Sequence, residues 1–280
     1  MSLIGVDLGG TKVCAALIDG QEVLKKETMK ISGHGDEMTV VNEIISVISK
    51  VFSNDAEGIG IGVPSLVNVE KGIVYEVQNI PSWKEVHLKK LIEEKFHKTV
   101  YVNNDANCFA VGEKYYGKAI GYDNVAGITL GTGMGTGLIV NGKLYSGKHC
   151  GAGEFGLVPY LDHDLEYYCS GHFFKNLTDA DGIDIYKRAL QNDQEALNHY
   201  KEFGKHVGNA IKVVMYSVDP EIIVLGGSIT AAYDYFIQGV WDSVNTFAYT
   251  HVLPSLKIEK SENPDMAVLG AAALYLDGKN

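Results

Sequence analysis

The sequence lacks the features that mark membrane proteins and disulfide-bonded secreted proteins. No apolar run approaches the roughly 18 residues that a membrane-spanning helix needs. No basic segment followed by an apolar stretch opens the chain, so a signal peptide is not expected. The four cysteines form no CxxC pair, which argues against a disulfide framework in a chain of 280 residues. We therefore expect a cytoplasmic protein without a membrane partner.

An excess of positive charge is also missing, since the formal net charge is −11. This charge argues against nucleic acid as a partner, because binding a phosphate backbone needs clustered lysine and arginine. An anionic substrate would have to be held by local dipoles and cations. The apolar fraction of 46% is that of a globular protein. No linker rich in proline, glycine or serine divides the chain, although its length allows two domains.

A short apolar strand runs into a glycine turn at Val6–Lys12. Without Cβ atoms, the two glycines let the backbone bend sharply and approach a ligand. A carboxylate, a hydroxyl and a lysine beside such a turn suit a phosphate with its metal ion. A plain β-hairpin is the alternative, because short glycine patterns also occur by chance. The positions concerned are Asp7, Gly9, Gly10, Thr11 and Lys12.

This stretch recurs later in the chain. Gly5–Gly20 aligns without a gap with Gly127–Gly142, and each copy predicts strand, glycine turn, strand, tight turn and strand. A later strand, 57–64, likewise has a counterpart in 221–227. We infer a duplicated α/β fold with two domains around a cleft. The second turn, Gly131–Gly137, fits neither a Walker A loop nor a dinucleotide fingerprint. Two such turns would hold a triphosphate from both sides; two flexible hairpins are the alternative.

Hydrophobic periodicity predicts the remaining elements. Besides the opening strand, strands are expected over 12–19, 21–29, 57–63, 99–102, 221–227 and 256–260. Helices are expected over 38–52, 88–96, 109–116, 183–190, 196–217, within 231–249 and over 266–276. The terminal helix is expected to pack back on the first half.

Other polar positions allow two interpretations each. Asn104 and Asp105 follow a strand, where they suit a helix cap or a general base with its hydrogen-bonding neighbour. Glu154 and Glu166 suit vicinal sugar hydroxyls, although alone they indicate ordinary surface glutamates. Gly226–Gly227 suits either a tight turn or an adenosine lying against the backbone.

Taken in order, these motifs resemble those of the ROK sugar kinases, which include bacterial glucokinases, fructokinases and N-acetylmannosamine kinases. The resemblance covers nearly the whole chain. It implies an α/β, duplicated actin-like (ribonuclease-H-like) fold and phosphorylation of a hexose by ATP and Mg²⁺, usually at the 6-hydroxyl. The matching segments are Asp7–Lys12, Asn104–Ala106, Gly131–Gly137, Gly153–Gly156 and Val224–Ser228.

The resemblance also implies roles for individual residues. Asp105 would be the general base, and Asp7 would hold magnesium directly or through water. The sugar would contact Asn104, Glu154, Glu166 and Pro64. The ATP phosphates and magnesium would contact Asp7, Gly9, Gly10, Thr11, Lys12, Thr132 and Gly133, and the adenosine would contact Gly226 and Gly227. We expect a small domain from 1–106 plus 265–280, a large domain from 107–264, and a homodimer.

Two departures from the family pattern concern the sugar end of the site. Leu157 stands where the family usually has a histidine that binds both zinc and sugar. Only Val158–Leu165 replaces the family's cysteine-rich zinc loop. We therefore expect no zinc site and expect packing through Tyr160, Tyr167 and Tyr168 instead. The sugar stays open among glucose, mannose, N-acetylmannosamine, N-acetylglucosamine, fructose, allose and β-glucosides.

Two further functions fit the resemblance. Some ROK proteins are sugar-responsive transcriptional regulators, which carry a DNA-binding domain before the first strand. This sequence begins on that strand and is acidic, which favours an enzyme. A non-catalytic sugar-binding protein is the other alternative. Retention of Asp105 and of both glycine turns argues against it.

Overall fold

The computed structural model describes residues 1–77, 79–178 and 182–279. The chain forms two compact units. The first consists of Met1–Gly121, Gly137–Ala152 and Glu262–Asn280, and the second of Tyr122–Thr136 and Gly153–Ser261. The first unit thus contains 107–121 and 137–152, which lie outside the ranges that the sequence gives for a small domain. None of the helices in these described ranges is both long and apolar enough to cross a bilayer.

The secondary structure alternates strands and helices through both units. The strands are β1 (Ser2–Leu8), β2 (Lys12–Asp19), β3 (Glu22–Lys30), β4 (Gly58–Val63), β5 (Val67–Asn68), β6 (Ile73–Tyr75), β7 (Glu85–Val86), β8 (Thr99–Asn104), β9 (Val125–Leu130), β10 (Met134–Val140), β11 (Lys143–Leu144), β12 (Pro159–Tyr160), β13 (His163–Asp164), β14 (Ile222–Gly226) and β15 (Lys257–Lys260). The α-helices are α1 (Glu37–Val51), α2 (Leu88–Phe96), α3 (Asp105–Tyr116), α4 (Leu165–Cys169), α5 (Gly171–Thr178), α6 (Gly182–Leu190), α7 (Gln194–Val218), α8 (Tyr233–Val244) and α9 (Met266–Asp277).

The first unit is built on a five-stranded sheet with the order β3-β2-β1-β4-β8. Strands β1, β4 and β8 are parallel neighbours, and every residue of β4 is buried, as a central parallel strand requires. Helix α1 begins where the Asp36 side chain accepts from the Thr39 N–H at 2.7 Å. Its apolar stripe joins the core beneath the sheet.

Helix α9 belongs to the first unit although it ends the chain. It contacts β1, β4 and α3, and Val268–Tyr275 is buried throughout. Such a helix is apolar on all sides because it lies between the sheet and another helix. The prediction that the terminal helix packs back on the first half is confirmed.

The second unit repeats the parallel part of this architecture. Strand β14 pairs in parallel with β9 and with β15. Thus β9, β14 and β15 follow one another as β1, β4 and β8 do in the first unit. The hairpin series β9-β10-β11 also repeats β1-β2-β3 along the chain. The predicted duplication is therefore confirmed.

Several elements differ from the sequence prediction. Helix α3 begins at Asp105 and not at 109, because the Asn104 side chain caps it by accepting from the Ala106 N–H. The small sheet of β5, β6 and β7, the hairpin β12-β13 and the short helices α4 and α5 were not predicted. Strands of two or three residues are too short to show a periodicity.

Candidate active site

The carboxyl ends of three parallel strands bring several predicted site residues to one edge of the first unit's sheet. In the strand register, Asp7 of β1 pairs with Gly62 of β4, which pairs with Asn103 of β8. Asn104 and Asp105 follow directly in the chain. Ligands of parallel α/β sheets bind at this edge. The fold therefore brings Asp7 and Asp105 to the edge where such ligands bind.

Asp7 is half-buried beside Lys12. Burial raises the pKa of the Asp7 carboxyl above its ordinary value, and the Lys12 charge opposes this to a smaller extent. A carboxylate that has lost hydration is stabilised by a nearby cation. Carboxylate oxygen is also a ligand that Mg²⁺ prefers. The surroundings of Asp7 therefore fit a magnesium ion.

The turn after β1 is closed by backbone hydrogen bonds. The Gly9 N–H donates to the Lys12 carbonyl at 2.9 Å, and the Thr11 carbonyl accepts from the Ile31 N–H at 3.1 Å. Within the described part of the chain, the N–H groups of Gly10 and Thr11 donate to no protein acceptor. Unpaired N–H groups in a glycine turn are suited to bind an anion.

A cavity of about 330 Å³ adjoins this turn. The Asn79 amide lies against Gly10 inside it. Asn79 and His34 were not identified from the sequence, because single polar residues in loops form no pattern. The lining residues are Gly10, Thr11, Ile31, Gly33, His34, Asn79 and Pro81.

Asp105 is exposed at the first position of α3. The Ala106 N–H donates to side-chain oxygens of both Asn104 and Asp105, at 2.9 and 2.8 Å. Asn104 is thus the helix cap, one of the two roles that the sequence allows. A helix N-terminus favours negative charge. A negatively charged side chain therefore suits this position.

Asn104 also contacts the loop that follows β4. Its Nδ2 donates to the Ser65 carbonyl at 3.4 Å. Pro64 directly precedes Ser65 in that loop. Asn104 is therefore hydrogen-bonded to the residue that follows Pro64, the other predicted sugar contact in this part of the chain.

The buried thiol of Cys108 is influenced by the charges of both Asp105 and Asp7. Burial raises the pKa of this thiol well above its ordinary value, and the charges of Asp105 and Asp7 raise it further. Because both carboxylates act on one thiol, they lie within electrostatic reach of the same point. This agrees with their place at one sheet edge.

In the second unit, two glycine turns lie side by side at the carboxyl ends of β9 and β14. These strands are parallel, and Thr129 pairs with Gly226. Gly227 has a φ of +86°, and a Cβ there would lie 2.3 Å from the Leu130 carbonyl oxygen. Only glycine fits this position. The predicted adenosine contacts therefore adjoin the strand that leads into the second phosphate-type turn.

The turn Gly131–Gly133 is in contact with Glu166. Oε2 of Glu166 accepts from the Met134 N–H at 2.9 Å, and a Cβ on Gly133 would lie 2.5 Å from the same oxygen. Thr132, at the tip of the turn, is exposed. Glu166, which the resemblance assigns to the sugar, is thus hydrogen-bonded at the turn that the resemblance assigns to phosphate.

Glu154 lies at the surface just before a short 3₁₀ helix, Phe155–Leu157. Partial desolvation by the surrounding protein raises the pKa of Glu154, and the charge of Glu166 raises it further. The two glutamates therefore lie close enough to influence each other. Two neighbouring carboxylates provide several acceptors for hydroxyl donors.

A short hairpin, β12-β13, lies within 158–165, the segment that we expect to replace the family's zinc loop. Tyr160 packs edge-on against Tyr168, with ring centroids 5.4 Å apart, and Tyr168 packs against Tyr167 at 4.9 Å. The Tyr160 hydroxyl also accepts from Asn209 at 2.8 Å. The three tyrosines therefore pack together as the sequence predicts.

Leu157 is 64% exposed. Across 1–77, 79–178 and 182–279, no group of three or more His, Cys, Asp and Glu side chains is placed to hold a metal ion. The sequence expectation about zinc stays a prediction.

Comparison with known proteins identifies relatives over nearly the whole chain. A glucokinase from Thermotoga maritima is 28% identical over 308 residues, which cover 98% of this chain and 97% of the relative. An N-acetyl-D-glucosamine kinase from Erwinia tasmaniensis is 27% identical, with 97% of this chain and 98% of the relative covered.

The crystal structure of a ROK family glucokinase from Streptomyces griseus, in complex with glucose and AMPPNP, has a TM-score of 0.84 to this chain. The identity is 25%, and 98% of this chain and 99% of that chain are covered. This similarity confirms the actin-like fold that the sequence predicts.

The family model also matches. The model of the ROK family covers residues 3–278, nearly all of this chain. The chain therefore belongs to the ROK family.

Proposed function

We propose that this chain, an ATP-dependent sugar kinase of the ROK family, phosphorylates a hexose at its 6-hydroxyl with Asp105 as general base. The observation that carries the proposal is the register of β1, β4 and β8, which brings Asp7, the Gly9–Thr11 turn and Asp105 to one sheet edge. Phosphoryl transfer requires mainly positioning and charge neutralisation. This edge would supply a carboxylate base, N–H groups for the phosphate and a carboxylate for a cation.

In the proposed reaction, the Asp105 carboxylate accepts the proton of the attacking hydroxyl. The hydroxyl oxygen forms a bond to the γ-phosphorus of ATP while the bond to the β,γ-bridging oxygen breaks. ADP then leaves with the electrons of that bond. A bound magnesium ion would supply positive charge at the phosphates, with Asp7 to hold it directly or through water. The N–H groups of Gly10 and Thr11 would stabilise negative charge on the phosphoryl oxygens.

The other predicted residues would hold the substrates. Asn104, Pro64, Glu154 and Glu166 would contact the sugar. Gly9, Lys12, Thr132 and Gly133 would contact the phosphates, and Gly226 and Gly227 the adenosine. Support for these roles comes from their match to the family pattern and from their places at strand ends.

The identity of the hexose is the finer part of the proposal. Relatives include both glucokinases and N-acetylglucosamine kinases, so the family does not choose between a 2-hydroxyl and a 2-acetamido group. Leu157 replaces a polar sugar contact of the family. We expect this exposed apolar side chain to shift the preference among hexoses relative to family members with histidine.

A substrate screen tests the function. ADP release from ATP would be measured with glucose, mannose, fructose, allose, N-acetylglucosamine, N-acetylmannosamine and a β-glucoside, each with and without magnesium. The proposal expects sugar-dependent ADP release by the wild-type chain for at least one hexose. ADP release that no sugar accelerates would contradict it.

The alternatives predict other outcomes. A sugar-responsive regulator would shift promoter DNA in a gel, and a non-catalytic protein would bind sugar without ADP release. No observation on the described residues favours either one. A homodimer, a cytoplasmic location and the lack of a nucleic-acid partner remain predictions of the sequence.

A further inference from the structure

A buried amide lies two residues before the predicted general base in the chain. Asn103, the residue before the Asn104–Asp105 pair, is 3% exposed. Its Oδ1 accepts from the Asn104 N–H at 2.8 Å, from Asn107 Nδ2 at 2.9 Å and from the Cys150 thiol at 3.1 Å. Its Nδ2 donates to the Ser146 hydroxyl at 3.2 Å. One side chain thus joins the end of β8, the first turn of α3 and the loop after β11.

That loop, 146–152, ends two residues before Glu154 in the chain. It closes on itself through the Ala152 N–H, which donates to the Ser146 carbonyl at 3.2 Å. The Cys150 side chain is 2% exposed and is part of the first unit's hydrophobic core. The residues from 147 to 149 are exposed. Ser146 and Cys150 are therefore the anchors of the loop.

The backbone of Cys150 supports this view. Its φ is +59°, a left-handed conformation that costs free energy in a residue with a Cβ. In this conformation the thiol donates to the Asn103 oxygen, and Asn107 Nδ2 donates to the same sulfur at 3.5 Å. A strained residue of this kind persists only where its surroundings hold it. The three-way contact with Asn103 and Asn107 provides that restraint.

We propose that Asn103 and Cys150 are positioning residues for the sugar. The Asn103 amide holds the Asn104–Asp105 junction and loop 146–152 in one fixed arrangement, with the Cys150 thiol and the Ser146 hydroxyl as its partners on the loop. This inference rests on the proposed function, in which Asn104 and Asp105 meet the sugar. Neither Asn103 nor Cys150 touches the substrates in this account.

The experiment compares four full-length variants with the wild type. Cys150→Ala removes the donor to Asn103, and Cys150→Ser keeps a hydroxyl donor there. Ser146→Ala removes the second anchor. Val47→Ala is the matched control: Val47 on α1 is buried in the same core, and its truncation lowers stability without touching the polar network. Steady-state kinetics would be measured for the hexose and for ATP, and amide hydrogen exchange would be followed by mass spectrometry.

Loss of the Cys150 donor should raise the KM for the hexose about 3- to 10-fold, the factor that one ordinary hydrogen bond supplies. The KM for ATP should stay unchanged. Cys150→Ser should recover most of the hexose affinity, and Ser146→Ala should act in the same direction as Cys150→Ala. In the anchor variants, amide exchange should accelerate both in 146–152 and at the start of α3. Val47→Ala should change neither KM nor the exchange of these two segments.

The inference is overturned if Cys150→Ala matches Val47→Ala in both readouts while the wild type phosphorylates hexose. It is also overturned if exchange accelerates in 146–152 alone, because the loop and the junction would then be independent. A failure of the proposed function looks different, since the wild-type chain itself would then phosphorylate no hexose.

Discussion

At the scale of single residues, the predicted site residues include carboxylates whose surroundings differ. Asp7 and Glu154 are both partly desolvated, and burial raises the pKa of each. Lys12 partly compensates Asp7, whereas Glu166 adds repulsion at Glu154. These opposite neighbours suggest different partners, a metal cation at Asp7 and neutral hydroxyl donors at Glu154.

Glu154 gives the first prediction. Its pKa lies above the ordinary 4.5, so it takes up a proton, and loses an acceptor for the sugar, at a higher pH than an ordinary glutamate. We expect the KM for the hexose to rise as the pH falls. The acid limb in the pH profile of kcat/KM should therefore lie above pH 4.5. Glu166→Gln removes one cause of the shift, so the limb should move to lower pH. A limb that stays in place in pH profiles of kcat/KM would show that the two glutamates do not interact.

Asp7 gives the second prediction, which concerns both stability and activity. Its raised pKa means that the ionised form is disfavoured in the folded protein. The cost is absent below the unfolded pKa and complete above the folded pKa, so it is present at pH 7. Asp7→Asn should therefore raise the thermal midpoint measured without metal, while kcat with magnesium and ATP falls about 100-fold or more. Retained activity, or a lower midpoint, would contradict this account.

At the scale of elements, the second glycine turn is connected to α4 through Glu166. The Glu166 carboxylate accepts from the Met134 N–H, and the absence of a Cβ at Gly133 lets it approach. Tyr167 and Tyr168 belong to α4, and the hairpin β12-β13, which carries Tyr160, directly precedes this helix in the chain. We infer that side-chain packing fixes α4, which carries Glu166.

Gly133→Ala tests this coupling. The new Cβ would lie 2.5 Å from Glu166 Oε2, so the carboxylate must leave the turn and break a charge-assisted hydrogen bond. We expect the KM values for both hexose and ATP to rise about 10-fold, the effect of losing one such bond. Gly182→Ala is the control, because its Cβ would make only ordinary contact, 3.7 Å from Phe174. A rise in only one of the two KM values would show that the turn and Glu166 act independently.

His206 on α7 gives a prediction about pH and stability. Its Nδ1 lies 3.1 Å from the Tyr160 hydroxyl, and burial lowers the pKa of its imidazole below 6.5. The folded state thus resists protonation, so its contribution to stability is present above pH 6.5 and is lost as the pH falls through the folded pKa. Thermal midpoints at pH 7.5 and 5.5 should differ less in His206→Gln than in the wild type. Parallel behaviour of the two proteins would contradict the prediction.

At the scale of the whole molecule, the sequence predicts the long elements and the duplication. Helices such as α1 and α7 carry a clear apolar stripe, and the ungapped repeat of Gly5–Gly20 identifies the second hairpin series. The sequence also points to Asp7 and Asp105, because glycine turns and strand ends place polar residues at a sheet edge.

Other parts of the site could not be predicted from the sequence. The role of Asn103 depends on Ser146 and Cys150, which lie more than 40 positions away along the chain, and such hydrogen bonds leave no periodicity. Asn79 beside Gly10 is a similar case. The early start of α3 follows from a single cap at Asn104. The local sequence there favours a loop and a helix almost equally, so it does not determine the first residue of the helix.

Neither unit contains the complete set of predicted residues. Asp7 and Asp105 belong to the first unit, whereas Glu154, Glu166 and the Gly226–Gly227 turn belong to the second. The residues proposed for the reaction are therefore divided between the two units. The chemical step nevertheless rests on one residue of the first unit, Asp105.

The most direct test of the account is phosphoryl transfer from ATP to the preferred hexose in Asp105→Asn. Asn keeps the size and the capping capacity of the side chain but cannot accept the proton. Asp36→Asn, at the cap of α1, controls for the loss of a carboxylate at a helix N-terminus. The account predicts that kcat falls by at least 100-fold in Asp105→Asn, with the KM for ATP and the thermal midpoint nearly unchanged, and that Asp36→Asn stays as active as the wild type. Sugar phosphorylation at the wild-type rate by Asp105→Asn would contradict the central claim.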